Sequence, residues 1–155
     1  MDGHKWTADF EAPNGEPVLA VYADPETGAE PWTVGLGHTG PDVHQGDVWT
    51  RERCLHAFAN DYAIAQGVAA HVIGLTTWAG LSVPRQCVLT DMAFNIGQSR
   101  LEGFHKMLDA IRRHNWQWAH DELLDSAYAK QVKGRATKNA DLLLRGTWQN
   151  QGIIS

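Results

Sequence analysis

Residues 32–39 read Trp32-Thr33-Val34-Gly35-Leu36-Gly37-His38-Thr39, and the fold turns on them. Trp32, Thr33 and Val34 are aromatic or β-branched, types that suit a pleated, half-buried strand. Two glycines one residue apart then end that strand, because glycine takes left-handed backbone without a steric penalty. Upstream, Val18, Val21 and Tyr22 supply a second short strand. The connection between them, Asp24 to Pro31, is built from turn formers. The stretch therefore predicts a small antiparallel sheet with glycine-rich connections.

On the N-terminal side, Asp2 to Glu11 reads as a short helix with Trp6 and Phe10 on one face at i and i+4, ended by Pro13, Asn14, Gly15 and Pro17. On the C-terminal side, Thr50 is a good N-cap and Glu52 favours the first turn. Leu55, Phe58, Ala59, Tyr62, Ala63, Gln66 and Ala70 then recur at helical spacing to about His71. After a loop around Gly74 to Val83, Pro84 opens a strongly apolar helix through Cys87, Val88, Met92, Ala93 and Ile96 that ends at Gly97. Further helices are predicted over Leu101–Arg113, Trp116–Leu124 and Arg135–Arg145, the last stopped by Gly146. The whole is α+β: a small N-terminal antiparallel sheet lobe joined by a long helix to a larger helical lobe. The expected division is a single domain over 1–155, with a sheet lobe at 12–49, a connecting helix at 50–72, and a helical lobe at 73–155 that also takes in 1–11.

Composition bounds what the chain can bind. At 155 residues it suits one domain better than two independent ones, and 43% hydrophobic with 20% charged residues is ordinary for a globular protein. Seven Trp are many for this length; core packing takes most, leaving a few to stack on a flat ligand such as a sugar. A net charge of −5 argues against a bulk electrostatic grip on nucleic acid or an anionic membrane. Positive charge does gather in the C-terminal half, at Arg112, Arg113, Lys130, Lys133, Arg135 and Lys138. Cys54 and Cys87 lack a CxxC spacing and lie in apolar helical stretches, so buried free thiols are expected. The histidines show no ligand spacing, and neither a metal nor another cofactor is expected. With no signal-like segment and no bilayer-length apolar run, the chain is expected to be made in the cytoplasm and to need a separate route to any target beyond the membrane.

Phe10-Glu11, Tyr22-Ala23-Asp24 and Trp32 to Thr39 together resemble the catalytic region of glycoside hydrolase family 24, the phage lysozymes. The shared pattern is a Glu ending the first helix, an Asp in the following sheet, and a Thr just before a Gly-x-Gly-His turn. Arg85 to Gly97 (RQCVLTDMAFNIG), Leu101 to Leu108, Trp116 to Ser126, Gln131 to Arg135 and Gly146 to Trp148 follow in the family's order, so the resemblance covers nearly the whole chain.

The chemistry it implies needs these residue types. Breaking a glycosidic bond takes a carboxylic acid to protonate the leaving oxygen and a second polar group on the other face of the sugar to handle charge and water. Glu11 is the implied acid, Asp24 its partner and Thr33 the residue that helps hold the attacking water, which makes the reaction inverting. To stay protonated near neutral pH the acid needs partial burial. The resemblance places Arg135 as the cation that orients it, Asn95 and Tyr128 as glycan contacts, and Asp61 as the carboxylate that pairs with His38. That pair would raise the His pKa and play a structural role.

Two intervals depart from the family's. Glu11 to Asp24 is four residues longer than usual, which leaves Glu16 as a rival acid, itself one residue short of the usual interval. Asp24 to Thr33 is three residues longer, through Glu26 to Pro31, as a longer hairpin would make it.

The function the resemblance implies is a monomeric endolysin: a muramidase that cleaves the bond from N-acetylmuramic acid to N-acetylglucosamine. It would reach periplasmic peptidoglycan from the host cytoplasm once a holin permeabilises the membrane, with no stable membrane association of its own. Lytic transglycosylation, a non-catalytic wall-glycan-binding module and a toxin delivered to a competitor's periplasm are the alternatives.

Overall fold

The computed structural model describes residues 1–12 and 14–148; Pro13, expected to help end the first helix, lies outside them. The chain divides into two compact units, His4–Ile64 and Met1–Gly3 with the residues from Ala65 onward.

In the first unit α1 (Gly3–Glu11) precedes β1 (Val18–Tyr22) and β2 (Thr33–Gly35), which pair antiparallel with Val18 opposite Gly35 and Tyr22 opposite Thr33. Val34 and His38 exchange backbone hydrogen bonds of 2.9 Å in both directions. That closure is possible because Gly35 and Gly37 both have positive φ, +70° and +80°. Residues 47–49 run along the other edge of β1, where Val21 N donates to Asp47 O (3.0 Å) and Trp49 N to Leu19 O (2.8 Å). Buried Val34, Val43, Trp49 and Cys54 form the core beneath the sheet, with Val21, Trp32 and Ala57 packed against it.

The long helix α2 (Arg51–Ile73) starts where the sequence puts it: Thr50 Oγ1 accepts from Arg53 N at 3.1 Å, satisfying one of the four donors a helix start leaves open. Its first half belongs to the sheet unit. Residues 4–11, expected with the helical lobe, also belong to the sheet unit. The reason is local: the His4 ring lies 4.2 Å from that of Tyr62 and 6.3 Å from that of Phe58, both on α2.

The second unit holds the rest of α2 and α3 (Leu75–Gly80), α4 (Val83–Glu102), α5 (His105–Arg112), α6 (Trp116–Leu124), α7 (Ala127–Gln131) and α8 (Lys133–Arg145). Helix α8 packs on α4, α6 and α7 around fully buried Leu89, Met92, Leu123, Leu142 and Leu143. The short α3 occupies what was expected to be loop, and α7 was not expected at all. In α4, Gly97 has φ +80° as a helix end should, yet the chain resumes helical hydrogen bonding to Glu102. The overall fold is thus α+β and lysozyme-like, with eight helices and one two-stranded sheet among the described residues.

Two of the arginines counted toward a basic surface tie the helices instead. Arg112 donates from Nε to Ile73 O (3.1 Å) and from Nη2 to Val72 O (3.0 Å), satisfying the last carbonyls of α2. Arg135 is held by a carboxylate described below. Cys54 and Cys87 are buried and form no disulfide. No helix among the described residues is long and apolar enough to cross a membrane.

Candidate active site

Glu11 is the last residue of α1 and is half-buried. Its Oε2 lies 2.9 Å from where a Cβ on Gly37 would sit, so the carboxylate rests directly on the glycine turn that follows β2. Tyr22 ends β1 opposite Thr33, and Asp24 comes two residues later. The Tyr22 phenol is pushed above its usual pKa, first by burial and then by the negative charges of Glu11 and Asp24. One phenol therefore feels both carboxylates. Asp24 Oδ1 accepts from Glu26 N (2.7 Å) and Thr27 N (3.4 Å), which fixes the side chain at the mouth of the long hairpin. Thr33 is 9% exposed, and its hydroxyl donates to Pro31 O at 3.1 Å, leaving oxygen lone pairs to accept.

Glu16 is placed differently. Its side chain is 62% exposed and its Oε2 accepts from Arg51 Nε at 2.9 Å, an open surface pair.

His38, next to Gly37, bridges two carboxylates: Nδ1 to Asp61 Oδ2 at 2.7 Å and Nε2 to Asp42 at 3.0 Å. Burial is the largest single influence on its pKa and lowers it, but the hydrogen bonds and charges of Asp61 and Asp42 together outweigh that, so the net shift is upward. Burial likewise acts to raise the Asp42 pKa, and the bond and charge of His38 bring it below the ordinary value. A raised His pKa gives stability that is complete below about 6.5 and is lost as pH rises through the folded value. A lowered Asp pKa gives stability that is complete above about 4 and is lost as pH falls through the folded value. The cluster therefore contributes fully in the window between those ordinary values. His38→Asn is expected to lose about 1.5–3 kcal/mol at pH 5.5, the worth of a hydrogen bond to a charged partner, and less at pH 9. Urea denaturation at both pH values measures the difference.

In the helical unit the sequence-predicted residues meet an unpredicted one. Asp91, on α4, is 0% exposed and accepts from Arg135 Nε (2.9 Å), Arg135 Nη2 (2.8 Å) and Asn139 Nδ2 (2.8 Å). The guanidinium is thus set in place by a bidentate carboxylate. Tyr128 is 2% exposed, its ring is 6.0 Å edge-on to Phe104, and its hydroxyl accepts from Asn139 at 3.4 Å. Burial, then the Asp91 charge, push its phenol up to about 12. Tyr128 also lines a cavity of about 490 Å³ together with Arg100, Phe104, His105 and Glu122. Asn95 is half-buried, and its Oδ1 is enclosed with no hydrogen-bond partner among the described residues. No group of three or more metal-ligating side chains occurs among the described residues.

The family model described as phage lysozyme matches residues 16–143. The chain belongs to the phage lysozyme family. The match includes Asp24, Thr33, His38, Asp61, Asn95, Tyr128 and Arg135, opens at Glu16 and leaves Glu11 just upstream. Among curated proteins the chain is similar to the pre-baseplate central spike protein Gp5 of Enterobacteria phage T4, 30% identical over 105 residues. That alignment covers 67% of this chain but 18% of the spike protein, so the chain spans under a fifth of that relative's length.

In this phage lysozyme family member, motif reading passed over Tyr22, which feels Glu11 and Asp24 in the sheet unit, and Asp91, which holds Arg135 in the helical unit. Gly37 gains a specific role from the geometry: a methyl group there would meet the Glu11 carboxylate, and φ +80° strains any L side chain. Gly37→Ala is expected to lose roughly 1–2 kcal/mol of stability for the left-handed backbone. Because Glu11 Oε2 is the mobile end of its side chain, it will swing aside, and displacement of about 1 Å lowers turnover about 100-fold. Unfolding and cell-clearing rates measured on one preparation separate the two effects.

Proposed function

We propose that this chain is a muramidase that hydrolyses the bond between N-acetylmuramic acid and N-acetylglucosamine with inversion, Glu11 acting as the acid. The supporting observation is the seating of the Glu11 carboxylate on Gly37, in the turn that leaves β2, with Tyr22 under the influence of both Glu11 and Asp24. In this reading Glu11 protonates the leaving oxygen, while Asp24 and the Thr33 hydroxyl accept hydrogen bonds from the water that attacks the opposite face. Hydrolysis is favoured over lytic transglycosylation because a sugar hydroxyl attacking internally needs no such water-holding pair. An orienting role for Arg135 toward Glu11, and a glycan contact for Asn95, rest on the family resemblance.

The biological setting we propose is host lysis, the chain reaching periplasmic peptidoglycan as a monomer after a holin opens the membrane. The similarity to a protein named as a central spike supports a second setting, in which the same hydrolase is carried on a phage particle.

Product analysis tests the chemistry. Purified peptidoglycan digested by the wild-type chain is expected to yield reducing N-acetylmuramic acid ends in the inverted anomer by early-time NMR. Anhydro-muramic ends would make the chain a transglycosylase, and glycan binding without bond cleavage would make it a wall-binding module.

A further inference from the structure

The connection from Asp24 to Thr33 has a structural product. The segment closes on itself: Thr27 Oγ1 donates to Glu30 O (2.6 Å) and accepts from Ala29 N (3.2 Å), while Asp24 N donates to Ala29 O (3.0 Å). This fixed hairpin forms one wall of a cleft of about 630 Å³, lined by Glu30, Pro31 and Trp32 on one side and Thr39, Pro41 and Val43 on the other. That volume falls within the range of small-molecule sites. The cleft lies entirely in the sheet unit and starts one residue from Thr33.

Its chemistry is selective. Trp32 is half-buried against the core beneath the sheet, so its ring is held rigidly with one part open, and Pro31 and Pro41 add flat apolar surface. Such a floor suits the apolar face of a pyranose. The polar groups among the lining residues are the Trp32 indole N–H, the Thr39 hydroxyl and the Glu30 carboxylate, none of which has a hydrogen-bond partner among the described residues. They offer a donor, a two-way group and an acceptor-only anion, which matches an acetamide carbonyl, a ring hydroxyl and an acetamide N–H. Glu30 is the charged group on the lining, and its negative charge opposes a carboxylate-bearing sugar.

We infer that the Asp24–Thr33 hairpin builds a glycan subsite, with Trp32 as its platform, that takes the neutral N-acetylglucosamine unit and rejects N-acetylmuramic acid through Glu30. The assignment rests on the muramidase reading for its biological sense, but the binding it describes is measurable without catalysis.

The test is an NMR titration of the ¹⁵N-labelled full chain with tri-N-acetylchitotriose, N-acetylglucosamine and N-acetylmuramic acid. The expected result is that the chitotriose shifts the Trp32 indole N–H and the Thr39 and Gly40 amides, that N-acetylglucosamine shifts the same signals, and that N-acetylmuramic acid leaves them in place. Trp32→Ala is expected to weaken chitotriose binding about tenfold, as loss of an aromatic platform does. Glu30→Gln, an exposed change that leaves folding intact, is expected to admit N-acetylmuramic acid. Shifts confined to other residues, no shift at all, or equal binding of both monosaccharides by wild type would overturn the subsite. Wall hydrolysis by wild type without shifts here sinks the subsite and leaves the muramidase reading standing; shifts here without hydrolysis do the reverse.

Discussion

Asp91→Ala is expected to cost about 3–5 kcal/mol of stability, the range for removing one partner of a buried ion pair. Asp91 is fully buried and the Arg135 side chain is 11% exposed, so solvent does not replace what the mutation removes. The loss falls on two neighbours. The Arg135 guanidinium loses both hydrogen bonds to the carboxylate, and Asn139, itself 0% exposed, loses the acceptor at 2.8 Å. A buried cation that loses its carboxylate and a buried amide that loses its shortest acceptor are each destabilising. For a chain of this size the Tm should fall by roughly 6–20 °C, at about 2–4 °C per kcal/mol. Asp91→Asn, which keeps one acceptor oxygen, should fall between. Urea denaturation of the three chains at neutral pH decides it: a loss under about 1 kcal/mol for Asp91→Ala would mean that the pair behaves as a screened surface bridge.

The same residue shows where sequence reading stops. Asp91 sits among Cys87, Val88, Met92 and Ala93, the apolar stripe that identified α4 as a core helix. A carboxylate inside such a stripe has to be paired, since an isolated buried charge is too costly to keep, and that was the available signal. Its partners lie 44 and 48 positions away, and no periodicity links residues at that separation. The long elements were legible because their determinants are local: the Thr50 cap, the 3.6-residue apolar spacing of α2, the glycines at 35, 37 and 146. Helices α3 and α7, six and five residues long, are too short to show a helical period. Grouping α1 with the sheet depended on His4 stacking against a helix that begins more than forty positions later, which is tertiary packing overriding sequence order.

Glu11→Gln is expected to abolish nearly all clearing of chloroform-treated Gram-negative cells, a loss of about 10²–10⁴-fold, because an amide of the same shape has no proton to deliver to the leaving oxygen. Glu16→Gln is expected to leave the rate within about twofold and the stability within about 1 kcal/mol, as for exposed pairs generally. Family matching does not choose between them, since the matched stretch opens at Glu16 and stops short of Glu11. Geometry does. Glu11 is half-buried on the Gly37 turn beside the Tyr22–Thr33 pair, whereas Glu16 points to solvent and is held by Arg51. A general acid must be free to reach the leaving oxygen; a carboxylate turned to solvent and tied to the Arg51 guanidinium is engaged elsewhere. Activity lost in Glu16→Gln and kept in Glu11→Gln would reverse this assignment and require that the residues around Glu16 rearrange when glycan binds. Loss in both would mean that the Arg51 bridge is needed to hold the entrance to β1, and Arg51→Ala, which breaks the bridge without touching either acid, would then lose activity as well.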